Sequence, residues 1–407
     1  MQKSLRKRVQ GSESNSLISD PRPLIPDPCN KGFSLVELLI AMVIASVVGL
    51  AGISIFSSSN WSYKTQEDVT EAQQNVRVAT DRLTKDIRMA GYGLPDPPFS
   101  LSFTGLPTTF VGQSGGNITL TSPITVTTSG GAGAPDSLTI LGIGYEVGTL
   151  DTTTAVVNCV NGIQANISGA NCIRLSATAS VPAADTIDRF FPGGAFNSNR
   201  MHISLGGAKY IALAAAGQTG QATRTLALGS PSTLDRDYPD GTSVYIVQAV
   251  QYTIVSDTSI AGCSSSNPCL ISLDATGLRG MNGGAPSRQL LAENIEDIQF
   301  AYGIDANPRD KKIDDTDGDG SFEGLDYIFA EAGDTLSDPS SIIVVRATVV
   351  GRTRNTDIKG QTGFKAQCFE DRPVDAGTTN CTGAASDGYR RRILTKVIKI
   401  RNPKTGA

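Results

Sequence analysis

Histidine and tryptophan are almost missing: His202 and Trp61 are the single examples in 407 residues. One histidine cannot build a His-rich metal centre, and it leaves one place for a histidine-based catalytic pair. That place, MHISL at 201–205, reads as a strand, where a packed histidine is the plainer role. There is no HExxH, no CxxC and no evident acid/base pair, so an enzyme is not expected. Charge is sparse at 18%, with 35 Lys+Arg against 39 Asp+Glu, and the body of the chain has no basic run. Nucleic acid is therefore not an expected partner. Proline is absent between Pro28 and Pro95, and no solenoid repeat occurs.

Glycine, by contrast, is abundant at 43 residues. With frequent Ser and Thr, it suits a turn-rich β protein outside the cytoplasm better than a helical cytosolic one.

One long apolar run is present, Phe33 to Phe56, with Glu37 as its only charge. As a helix its 24 residues cover about 36 Å, enough to cross a bilayer. The polar leader before it carries Lys3, Arg6, Lys7, Arg8, Arg22 and Lys31. Such a leader stays cytoplasmic and sends the rest of the chain across. The run is too long for an ordinary cleaved signal core, and the polar-to-apolar switch falls at Gly32–Phe33. A plain membrane anchor is the simplest alternative.

The stretch KGFSLVE, 31–37, resembles the type IV prepilin signature residue by residue. The resemblance implies that a membrane prepilin peptidase cuts between Gly32 and Phe33 and methylates the amine of Phe33. The leader, 1–32, is longer than is common in that family. Glu37 stands at the family's characteristic acid. A lone carboxylate in hydrocarbon costs a few kcal/mol and needs a partner. The resemblance supplies one, the cationic amine of a neighbouring subunit, and makes Glu37 an assembly residue.

Downstream, Val69, Ala72, Val76, Ala79, Leu83 and Ala90 keep 3–4 spacing. This predicts one helix from Phe33 to Ala90, with residues 57–91 as its amphipathic half and a stop at Gly91, Gly93 and Pro95. Gly49, Gly52 and the Ser57–Asn60 stretch are weak points at which it could bend. A two-chain coiled coil is disfavoured, since the heptads last about three repeats.

From residue 95 the pattern is β. Strands are expected at Asn117–Thr127, Ser137–Tyr145, Met201–Leu205, Ser243–Val255, Ile295–Ile304, Ser341–Gly351 and Arg392–Ile400. Clusters such as GGAGAP and NGGAPS separate them. The fold class is α+β: a long N-terminal hydrophobic helix packed on an antiparallel β-rich domain, 95–407, with large loop insertions. Whether residues 130–285 form a separate subdomain stays open.

Of seven cysteines, Cys29 lies in the leader. The other six form three local pairs, Cys159–Cys172, Cys263–Cys269 and Cys368–Cys381, each bracketing a turn-rich segment. In an oxidising compartment these are disulfides, and local closure favours nearest-neighbour pairing among the 15 connectivities. Zinc is the alternative, poorly supported with one histidine.

DTDGDGSFEGLD, 315–326, has the spacing of an EF-hand loop. Asp315, Asp317 and Asp319 hold the first, third and fifth places, and Asp326 the twelfth; Gly320 permits the turn, Ser321 offers its carbonyl and Glu323 reaches the cation directly or through water. Structural calcium is the expected cofactor, and a bare acidic turn the alternative. The flanks, IQFAYGID and YIF, read as strands rather than EF-hand helices.

LAENIEDIQFAYGID (291–305), the acidic loop, SIIVVRATVVGRT (341–353) and RRRILTKVIKIRN (390–402) together resemble the PilW-like minor pilins. The resemblance implies a minor subunit that acts in pilus assembly, with twitching motility or adhesion as downstream roles. Its partners would be other major and minor pilins. It would begin as a single-pass inner-membrane protein with its domain in the periplasm, then reach the pilus and the cell surface. A type II secretion pseudopilin shares leader, helix and sheet and is the alternative.

Overall fold

The computed structural model describes residues 34–94, 99–103, 117–128, 134–153, 157–176, 202–206, 210–218, 224–229, 233–258, 260–275, 287–306, 310–315, 318, 327–329, 341–356 and 388–401. The chain divides into two units, 1–62 and 63–407.

Helix α1 (Leu35–Arg88) contributes to both. Within the first unit its side chains are exposed throughout, from Leu35 at 74% to Phe56 at 68%. Gly49 and Gly52 have open space around them, and the helix runs through both without a break.

Within the second unit the same helix is amphipathic. Ala72, Val76, Ala79, Thr80, Leu83, Thr84 and Ile87 are buried, the 3–4 stripe the spacing predicts. Thr80 and Thr84 can sit in it because their hydroxyls donate to the carbonyls of Val76 (2.8 Å) and Thr80 (2.6 Å). Full burial of Leu83 or Ile87 contributes about 1.5–3 kcal/mol each. The helix stops in turns at 89–93, where Gly91 and Gly93 both take φ of 73°.

Among the described residues fifteen strands follow: β1 (Leu101–Phe103), β2 (Ile118–Leu120), β3 (Ile124–Thr128), β4 (Asp136–Thr149), β5 (Cys172–Arg174), β6 (His202–Leu205), β7 (Tyr210–Gln218), β8 (Thr225–Leu228), β9 (Ser243–Val255), β10 (Cys269–Asp274), β11 (Ser287–Glu293), β12 (Ile295–Ile304), β13 (Ile328–Phe329), β14 (Ile342–Arg352) and β15 (Arg391–Lys399). β9 and β12 coincide with the expected ranges. The expected Asn117–Thr127 strand divides into β2 and β3 around Ser122–Pro123, since Pro123 has no N–H for a ladder. The YIF strand is β13.

The strands form a two-stranded sheet β1–β2, a nine-stranded sheet and a four-stranded sheet ordered β13-β12-β14-β15, with every named pair antiparallel. In the nine-stranded sheet β9 is the axis. It pairs with β4 from Ser243 to Tyr252 along one edge. The other edge is shared: β6 takes Val244–Val247 and β10 takes Val250–Val255. Strands β4 to β10 therefore belong to one sheet, and the middle of the chain is not a separate body.

A single residue, Asn294, carries the chain from β11 in the large sheet to β12 in the small one. It takes φ of 56°, which Asn tolerates better than most residues, and its carbonyl accepts the Arg352 amide at 2.9 Å. This corner lets both sheets cover the helix. One core joins Val76, Ala79, Leu83 and Ile87 to Leu138, Val250 and Tyr252 of the large sheet and to Ile298, Phe300, Val345 and Ile398 of the small one.

Candidate processing and assembly site

The apolar run opens at Ser34, which precedes the first helical residue. A helix start leaves four backbone N–H groups without intrahelical acceptors. Two side chains meet this need. The Val36 amide donates to Ser34 Oγ at 3.4 Å, and Glu37 Oε2 accepts the Ser34 amide at 3.0 Å. Ser-x-x-Glu is a capping-box spacing. The negative carboxylate also lies in the first turn, where the helix dipole favours it. Glu37 thus has a resident partner in its own chain.

Charge alone leaves Glu37 waiting for a neighbouring subunit; the Ser34/Glu37 spacing is the signal that reveals the partner at home. Along the exposed helix Ser46 Oγ donates to the Val43 carbonyl at 2.8 Å, so this hydroxyl needs no water. Gly32 and Phe33, the expected cleavage pair, lie outside the described residues.

Two of the three expected disulfides are present. Cys159–Cys172 has a Cα–Cα distance of 5.5 Å and Cys263–Cys269 one of 5.6 Å, both ordinary for a bridge. Each sits in a core. Cys159 and Cys172 pack with Leu150 and Ile173, while Cys263 and Cys269 share a cluster with Ile271, Leu273, Leu101 and Leu120. Cys368 and Cys381 lie outside the described residues.

Of the acidic loop, Asp315 and Gly318 are described. Asp315 Oδ1 accepts the Gly318 amide at 2.6 Å, and Gly318 turns with φ of 77°. Just before it, the buried Asp305 accepts the amides of Asp310 (3.0 Å) and Lys311 (2.9 Å), while Asp314 accepts that of Ala306 (2.8 Å). Carboxylates therefore already fold the entrance of the loop by binding backbone. Asp317, Asp319, Ser321, Glu323 and Asp326 lie outside the described residues, and among the described residues no three potential ligands converge on a metal position.

His202 is buried in β6 with its ring 4.9 Å from that of Phe103. Burial lowers its pKa to about 4, so it is neutral at ordinary pH. Its Nδ1 has no hydrogen-bond partner among the described residues, and the role it fills is packing.

Against known proteins, residues 27–53 match the family model of the prokaryotic N-terminal methylation motif. Residues 251–402 match that of the type IV pilus-assembly protein W, PilW. A pilin-like protein of Thermus thermophilus, PilA3, is 34% identical over 87 residues, 18% of this chain and 37% of the relative. The chain thus spans little more than a third of the curated relative's length. No solved structure matches. The matches make the chain prepilin-like at its N-terminus and PilW-like over the last five residues of β9, both following strands and the whole four-stranded sheet.

Proposed function

We propose that this chain is a PilW-like minor type IV pilin, a structural subunit that acts in pilus assembly. The observation that carries the reading is the pairing of two independent signatures on one element. The methylation motif covers the exposed start of α1, and the PilW match covers β12, β14 and β15, which bury its other end. Both point to a structural protein rather than an enzyme.

In this reading the leader stays in the cytoplasm, and 33–56 spans the inner membrane with the β-rich domain in the periplasm. Prepilin peptidase removes residues 1–32 and methylates Phe33. Residues 35–56, exposed here, then exchange lipid for the helices of other pilins. Glu37 leaves its contact with the Ser34 amide for the amine of an adjacent subunit, which sets register among the packed helices. The acidic loop holds calcium as a structural cofactor, and Cys368–Cys381 is the third disulfide.

Mass spectrometry of the chain from membranes and from sheared surface filaments tests this reading. The expected result is one mature species beginning at methylated Phe33 in both fractions. A chain that never leaves the membrane fraction would contradict it.

A further inference from the structure

Between the last turns of α1 and the end of β15 lies an open cavity of about 790 Å³. Lys85 and Arg88 line it from the helix, Lys399 and Arg401 from the strand end. The walls are tied together, since the Arg401 amide donates to the Arg88 carbonyl at 3.1 Å. None of these four cations is in an ion pair among the described residues. The one acid in the lining, Asp81, already has Arg77 at 3.9 Å and Lys396 at 3.7 Å.

Two cations near a helix C-terminus are ordinary, because the dipole favours them. Lys399 and Arg401 lie outside the helix and have no such reason. Gathering four positive groups around one cavity is repulsive, and an anion there relieves the repulsion. Among the described residues β15 is also an outermost strand of its sheet, so the cavity opens beside a sheet edge. Val397 on that strand is 56% exposed.

We infer that this cavity binds the carboxylates of an acidic stretch on the N-terminal helix of an adjacent pilin subunit. The inference rests on the filament reading above. The complementary charge is visible on α1 itself. Glu67 precedes Lys85 by 18 residues, five turns, so both lie on one side of the helix about 27 Å apart. Glu71 falls on the same side one turn later, and neither glutamate is in an ion pair among the described residues. Two parallel helices offset by about 27 Å bring the acidic band of one to the basic cavity of the other. The contact is head-to-tail, the kind that extends along a filament instead of closing into a dimer.

The test has two arms. In the first, purified full-length chain in detergent is titrated with a polyglutamate peptide at several salt concentrations. Binding should weaken as salt rises, and Lys85→Glu/Arg88→Glu should weaken it at least tenfold, while Lys85→Arg/Arg88→Lys retains it. Equal binding by the reversed and wild-type chains overturns the assignment. In the second, sheared filaments are treated with a carbodiimide, which joins lysine amines to carboxylates in contact. The expected products link Lys85 or Lys399 to an acidic helix peptide of another subunit. A Lys85–Glu67 link identifies a second copy, because within one helix the two are too far apart. Filaments that contain the chain but yield neither lysine in such a link also overturn the assignment. Absence of the wild-type chain from filaments overturns the filament reading instead, and the peptide arm then decides the cavity.

Discussion

The Tyr252 hydroxyl donates to the Asp86 carboxylate, bonding the centre of the nine-stranded sheet to the last turn of α1. The bond serves both groups. Tyr252 is fully buried, and a buried hydroxyl without a partner costs about 1–3 kcal/mol. Asp86 stands near a helix C-terminus, where the dipole disfavours a negative charge. Arg82, one turn earlier at 3.3 Å, offsets part of that, and Tyr252 adds to it from the sheet.

The leader is charged and the run after Gly32 is apolar, so processing should remove residues 1–32 and leave methylated Phe33. Gly32→Val places a branched side chain at the scissile position and should abolish the cut. Peptide mapping of membrane-bound chain reads the N-terminus directly, and a different mature start would contradict the assignment.

Capping and charge pairing at Glu37 are separable. Glu37→Gln keeps an oxygen for the Ser34 amide but removes the charge; Glu37→Val removes both. If charge sets register, both variants should insert in the membrane and both should be depleted from filaments several-fold. Quantitative immunoblots of membrane and sheared fractions decide. Normal incorporation of the Gln variant would show that the cap alone suffices.

His202 should make the domain acid-sensitive. Its folded pKa of about 4 lies below the ordinary 6.5, so the folded state resists protonation. The stability tied to the neutral ring is fully present above about pH 6.5. It is lost as pH falls toward 4, by roughly 3 kcal/mol in all. Chemical denaturation at pH 7 and pH 5 should show about 2 kcal/mol of this loss, and His202→Phe should reduce it.

Gly351 sets β14 against α1: an added Cβ would collide with Val76 Cγ2 and crowd the Ala72 carbonyl at 3.4 Å. Gly351→Ala should therefore cost about 1–3 kcal/mol by overpacking. Val76→Ala in the same chain should recover part of it. A thermal melt of the two variants checks both statements.

The acidic loop predicts stabilisation by calcium. Mature chain in detergent should melt higher with calcium than with chelator, the stabilisation being about 2.7 kcal/mol at a hundredfold excess over the dissociation constant. Asp317→Ala/Asp319→Ala should remove the difference. Identical melting of the wild-type chain in both conditions would leave a plain acidic turn.

The helix was legible because its signals agree: an apolar run, a 3–4 stripe, no proline and a glycine stop. The long strands β9, β12 and β14 were legible through their runs of β-branched residues. Strand β7, YIALAAAGQ, was not, because alanine prefers a helix and only pairing with β6 and β8 makes it extended. SRQLLAE, β11, likewise has no strand pattern of its own; its ladder with β10 and the corner at Asn294 define it. Neighbours decided these elements, and no window of sequence contains those neighbours. At the N-terminus, Glu37 was found through its place in a motif, while its contact with Ser34 follows from spacing alone.

The covering of α1 also fixes an order in time. The stripe from Val76 to Ile87 is made early in synthesis, but Ile298, Phe300, Val345 and Ile398, which close over it, come from the final third of the chain. The Asp86–Tyr252 bond joins positions 166 residues apart, and Ser137–Thr253 joins positions 116 apart. Such distant closures are slow, because chain entropy is lost before contacts form. The two observed disulfides span only 13 and 6 residues and can form long before this. A chain cut short before β14 would keep its local bridges yet lack Val345, Val349 and Ile398, leaving the helix stripe only partly covered. Truncation therefore yields a sticky, protease-sensitive remnant instead of a smaller working subunit.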